Sequence, residues 1–162
     1  MGFLDLLFRS QNRTPTVTSI LPDVAIQEIR RGRLPQLNTD SVFLRNGEYC
    51  HYIDKAIMAK EKTSISYSGS GYSVPGLFKG HRMRASRGRR IENVSTEYFK
   101  GILYITNKRV IFQAKKNGFD KQHRSLSAIK PYSNGVELQY GNKAFSLLVY
   151  DGDLVDKVLK SI

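Results

Sequence analysis

Arginine is the residue type that most clearly marks out a chemistry in this sequence, and the chemistry is anion binding. From Lys62 to Ile91 the chain carries seven basic residues and no acid, and six of them (Lys79, Arg82, Arg84, Arg87, Arg89 and Arg90) fall within twelve residues. A guanidinium presents a planar fork of N–H donors that matches phosphate and carboxylate oxygens, so an arginine run is more selective for such partners than a lysine run. In an extended strand Arg82 and Arg84 share one face. Arg87 and Arg89 share one if the strand continues, and Arg90 points the other way. A second basic segment, Lys100 to Lys130, sets eight Lys and Arg, including Lys108, Arg109, Lys115 and Lys116, against Asp120 alone. A solvated face that serves solubility accounts for the same charge without any partner.

Side chains that could react are few and badly placed. Cys50 and His51 are sequence neighbours, so in a strand they face opposite ways and do not pair as nucleophile and base. Cys50 reads better as a small buried apolar residue. His81 and His123 stand alone, without the spacing of metal ligands. Gly69-Ser70-Gly71 lacks the flanking strand and helix and the Lys-Ser/Thr pair of a nucleotide-cradling loop. The acids are scattered singly. The expectation is a protein that binds rather than catalyses, with no metal, no cofactor and no small-molecule substrate.

The 26 Lys and Arg against 14 Asp and Glu give a net charge of +12 over 162 residues, about one domain of chain. That excess attracts polyanions and says nothing about fold. One cysteine excludes an internal disulfide framework and suits a reducing, cytoplasmic setting. No apolar stretch approaches the roughly 18 residues that span a bilayer. The start, Met-Gly-Phe-Leu-Asp-Leu-Leu-Phe-Arg, has no basic leader and reads as a poor secretion signal. Leu6 stands where a myristoylation site needs Ser or Thr. If residues 1–9 form two helical turns, Phe3, Leu4, Leu7 and Phe8 share a face that could anchor the chain in a membrane or on a partner.

The elements that must position these groups are mostly strands. Residues 10–21 read as a linker, followed by a short helix from Pro22 and Asp23 that carries Val24, Ile26 and Ile29 and ends at Gly32. Residues 1–40 are therefore expected to be a helical and extended appendage to a β-rich domain at 41–162. Val42-Phe43-Leu44 reads as a strand leading to a turn at Asn46-Gly47, then a long strand from Tyr49 to about Lys60. Ile102 to Thr106 and Val110 to Phe112 flank an Asn-centred turn and read as a hairpin. Turns at Asn117-Gly118, Ser133-Asn134-Gly135 and Gly141-Asn142 separate short strands at 119–125, 136–140 and 143–149. Leu154, Val155, Val158, Leu159 and Ile162 then fall at helical spacing, with Asp151 and Asp153 at the start.

The stretch Gly101-Ile102-Leu103-Tyr104-Ile105-Thr106-Asn107-Lys108-Arg109-Val110-Ile111-Phe112 looks like the central hairpin of GRAM and bacterial pleckstrin-homology-like domains. Leu126 to Val136 resembles the segment that follows it. Leu44-Arg45-Asn46-Gly47-Glu48, then Lys79-Gly80, is similar to their first strands. The resemblance implies a mainly β fold, a bent seven-stranded antiparallel barrel capped by a C-terminal α-helix. Such domains bind phosphoinositides, other anionic lipids or proteins. Lipid-binding members place basic residues in the first strand-to-strand loop. Here that loop is expected at Ser64 to Ser73, which holds no Lys or Arg, a departure that shifts attention to the arginine run.

The function expected is that of a non-enzymatic adaptor that engages a protein partner or an anionic membrane surface through this basic patch. In the second case it would sit peripherally on the inner face of the membrane. The alternative is a nucleic-acid-binding accessory or inhibitor protein of a mobile element, with some of the nine tyrosines stacking on bases. A purely structural subunit is a third reading.

Overall fold

A computed structural model describes residues 15–68 and 89–162. The expected helical turns over residues 1–9 and the extended run considered for Arg82 to Arg87 lie outside them. Among the described residues the elements are α1 (Asp23–Arg30), β1 (Cys50–Ser68), β2 (Arg89–Thr106), β3 (Arg109–Ala114), β4 (Phe119–Gln122), a 3-10 turn (His123–Ser125), β5 (Ala128–Tyr132), β6 (Gly135–Tyr140), β7 (Lys143–Val149) and α2 (Gly152–Ser161).

The strands form one seven-stranded sheet in the order β4-β3-β2-β1-β7-β6-β5. The ladders are antiparallel, with Leu103 opposite Phe112, Phe112 opposite Phe119, Ile57 opposite Leu148, and Leu138 opposite both Phe145 and Ile129. The expected strand number and final helix are present, but the expected closed barrel is not, because β4 and β5 do not pair. β4 is only four residues long, and the 3-10 turn carries the chain away to the β6 edge, where the Ser127 amide donates to Gln139 O. Side chains span the gap that the ladder leaves. Phe119 of β4 stacks on Phe145 of β7 at 4.2 Å between centroids and lies 6.4 Å from Tyr140 of β6.

Residues 15–60 and 98–162 make one compact unit, with a core that draws on both helices and all seven strands. Tyr52, Ala56, Met58, Leu103, Ile105, Val110, Phe112, Leu138 and Leu147 are buried in it. α1 contributes Ala25 and Ile29 to this core, with Leu21 just before it. The helix lies where its spacing predicts, but Val24 points to solvent and Ala25 inward. α2 buries Leu154, Val155 and Val158. Asp151 caps it by accepting from the Asp153 amide at 2.9 Å, and Lys157 and Lys160 pair with Asp153 and Asp156 one turn back.

Val42-Phe43-Leu44 is not a strand. Val42 and Leu44 instead pack with Cys50, Tyr104 and Ile111 on the face of the sheet opposite the main core. This covering explains why β3 is buried along four successive residues rather than alternately.

The second unit, Glu61–Glu97, holds the later half of β1 and the earlier half of β2. Its described side chains from Glu61 to Ser66 and from Arg90 to Ser95 are exposed. Cross-strand bonds run from Lys62 to Glu97 (3.1 Å), from Ser64 to Asn93 O (3.4 Å) and from Asn93 to Ser66 (3.3 Å). Thr63, Ile65 and the intervening serines continue β1 well past Lys60, so the expected loop at Ser64 to Ser73 begins no earlier than residue 69.

Gly152 sits where α2 meets the β5–β6 turn, and a Cβ there would run into the carbonyl oxygens of Tyr132 and Gly135. Gly152→Ala is expected to lower stability by about 2 kcal/mol, because backbone on both sides cannot yield. Val24→Ala, at a position 70% exposed, should stay within about 0.5 kcal/mol. Urea denaturation of both variants tests the contrast.

Candidate functional site

Two of the expected anion-binding residues, Lys108 and Arg109, belong to a clasp that holds the fold. Arg109 opens β3 and is 8% exposed. Its Nε donates to Glu48 Oε1 at 2.8 Å, Nη1 to Asp120 Oδ2, and Nη2 to Phe43 O at 2.6 Å. Glu48 has no exposed side-chain surface. It also accepts from Thr106 Oγ1 (2.7 Å) and the Arg45 amide (2.8 Å). Burial pushes the Glu48 carboxyl up, but the hydrogen bonds from Arg109, Arg45 and Thr106 outweigh it and hold the pKa at about 2. Asn107 completes the clasp, accepting from the Tyr49 amide and donating to Gly47 O, while Lys108 Nζ donates to Asn46 O at 2.8 Å. Arg109 is thus withdrawn from any exposed basic surface, whereas Lys108 stays exposed.

Lys115 and Lys116 lie in the β3–β4 turn, both exposed. The turn is tight because Asn117 takes a left-handed conformation (φ 59°). Asn117 Oδ1 accepts from Lys60 Nζ of β1 at 3.4 Å. Lys60, Asn117, Gly118, Ala144 and Phe145 line one small cavity of about 190 Å³. Lys143, the first residue of β7, immediately precedes Ala144. Lys60 thus lies on that cavity, and Lys115, Lys116 and Lys143 are near neighbours in sequence of residues that line it. Among the described residues none of the four has a carboxylate at ion-pair distance. Lys60 and Lys143 escape a reading of the sequence because Lys60 adjoins Glu61 and Lys143 is a lone cation there. Only the pairing of β1, β3, β4 and β7 through the sheet gives the signal.

The other expected residues are separate. Arg90 is exposed in the second unit and pairs with Glu92 at 3.0 Å, and Arg89 begins β2. Lys79, Arg82, Arg84 and Arg87, and the apolar Phe3, Leu4, Leu7 and Phe8, lie outside the described residues.

The nucleophile and base candidates are occupied structurally. Cys50 is buried and its thiol donates to Tyr52 O at 3.4 Å. Burial pushes the thiol pKa up to about 11. His51 Nδ1 lies 2.8 Å from Pro35 O and His123 Nε2 lies 2.6 Å from Thr106 O. A carbonyl only accepts, so each of those nitrogens carries the proton. No three His, Cys, Asp or Glu side chains among the described residues converge as metal ligands. No described helix is long and apolar enough to cross a membrane. No protein-family model, curated protein or solved structure matches this chain.

Glu48→Gln leaves the buried guanidinium without its main counter-charge and is expected to cost about 3 kcal/mol. Because the Glu48 pKa is depressed in the fold, its contribution is complete above about pH 4.5 and is lost as the pH falls from there toward 2. Denaturation of wild type and variant across that window should show the difference between them shrinking with acid. In a second test, iodoacetamide at neutral pH should leave Cys50 unmodified in the native protein and alkylate it in urea, as read by mass spectrometry.

Proposed function

We propose that this chain is a non-enzymatic adaptor of the pleckstrin-homology-like kind. It engages an anionic membrane surface, or a protein partner bearing acidic groups, through a basic patch that includes Lys60, Lys115, Lys116 and Lys143. What carries the reading is that Lys60 lines the cavity beside Asn117, that Lys115, Lys116 and Lys143 neighbour its lining in sequence to complete a lysine rim, and that none of the four has a carboxylate in ion-pair reach among the described residues. Like charges gathered in this way oppose folding slightly and are relieved by a multivalent anion.

Two further points support it. Seven antiparallel strands followed by one C-terminal helix are the elements that the hairpin resemblance implies. With β1 ending at Ser68 and β2 starting at Arg89, the sequence between them contains Lys79, Arg82, Arg84 and Arg87 and no acid.

Vesicle flotation tests the membrane arm. The protein is expected to float with phosphatidylserine-containing vesicles at low salt, to release as salt rises, and to ignore phosphatidylcholine vesicles. At about 1 kcal/mol per lysine near an anionic surface, replacing all four rim lysines by Gln should weaken binding on the order of a thousandfold. Equal binding to neutral vesicles, or no loss in the fourfold variant, would remove the rim as the surface. Failure to float at all leaves the acidic protein partner as the reading.

A further inference from the structure

A second pair of cations stands on the sheet in a different setting. Lys55 of β1 and Lys100 of β2 come from adjacent strands, on the face that turns away from Tyr52, Ala56, Leu103 and Ile105 of the main core. Both open onto a groove of about 470 Å³, walled on one side by Thr16, Val17 and Thr18 and floored by Ile57 and Ile102. That volume is in the range of small-molecule sites, about 300–1,000 Å³. Neither lysine has a carboxylate at ion-pair distance among the described residues. The carboxylate next in sequence, Asp54, is 1% exposed. Its oxygens are taken by the Ser19 hydroxyl (2.7 Å), the Ile20 amide (2.7 Å) and the Lys55 amide (2.8 Å).

Those same bonds fix the wall. Asp54 pins the chain at Ser19 and Ile20, and Val17 packs on Ile57, Ala59 and Leu148. Thr16 and Thr18, on either side of Val17, are left exposed and line the groove. The wall and the apolar floor are thus in place before any ligand arrives, with Lys55 and Lys100 free to turn toward it. A free inorganic anion would use only the lip, and a neutral lipid only the floor.

We propose that this groove binds a single-chain amphiphilic anion, an alkyl phosphate or alkyl carboxylate. Its head lies between Lys55 and Lys100 and its chain lies along Ile57 and Ile102. The site is independent of the lysine rim and goes beyond the adaptor reading, in which no small molecule is expected.

Titration of the isotope-labelled full chain, followed by amide chemical shifts, tests it. The probes are decyl phosphate below its micelle concentration, decanol and inorganic phosphate. Decyl phosphate is expected to move the amides of Lys55, Ile57, Lys100 and Ile102 saturably. Decanol and inorganic phosphate should each bind at least about tenfold more weakly. K55Q/K100Q should weaken decyl phosphate on the order of a hundredfold, whereas K60Q/K143Q should leave it unchanged. Equal affinity for decyl phosphate and decanol, or for decyl phosphate and inorganic phosphate, would overturn the proposal. So would shifts centred on the lysine rim. The wild-type comparison of three probes decides the matter even if K55Q/K100Q does not fold.

Discussion

The buried ion pair between Arg109 and Glu48 is the constraint on which the rest of this fold depends. A guanidinium brought into the protein must have its N–H groups satisfied, and here they reach a carboxylate, a second carboxylate and a main-chain carbonyl. The partners come from two different stretches of chain. Glu48 and Phe43 lie in the segment before β1, and Asp120 lies on β4. One side chain thereby sets the path of residues 41–48, the start of β3 and the position of the β4 edge. Val42 and Leu44 are brought over Ile111 by the same path and bury a face that would otherwise be wet. The contribution is to specificity of structure as much as to its free energy, since removing one partner leaves the other charged and buried.

Much of this architecture is legible in the residues, and the failures share a cause. The hairpin around Asn107, the helix from Asp23 and the final helix are local patterns, and they stand where the spacing puts them. Val42-Phe43-Leu44 has strand-forming side chains, yet Arg109 takes the Phe43 carbonyl and the segment makes no ladder. Ala128–Tyr132 tolerates Pro131 because the strand needs pairing on one side only, against β6. α1 offers two nearly equal apolar faces, and only packing against α2 and the sheet selects Ala25 and Ile29 over Val24. In each case a contact distant in sequence decides between local alternatives.

The same holds for charge. Counting along the chain picks out Lys108-Arg109 and Lys115-Lys116 as equivalent basic pairs. The fold gives them opposite roles, one arginine neutralised inside and two lysines left exposed in the β3–β4 turn. Burial and pairing, rather than local density, determine which cations are available to a partner. A +12 total therefore overstates what Arg109 offers and understates what isolated lysines such as Lys55 and Lys100 offer.

The seam between β4 and β5, closed by Phe119, Tyr140 and Phe145 instead of by backbone, leaves two strand borders able to recruit foreign chains. Their make-up discourages it. β4 is four residues long and carries Asp120 and Lys121, while β5 carries Lys130 and Pro131, the latter with no amide proton to donate. A stray strand attempting to extend the sheet at either border would have to desolvate a charge or meet a missing donor. The chain thus resists self-templating at its opening without having to close it.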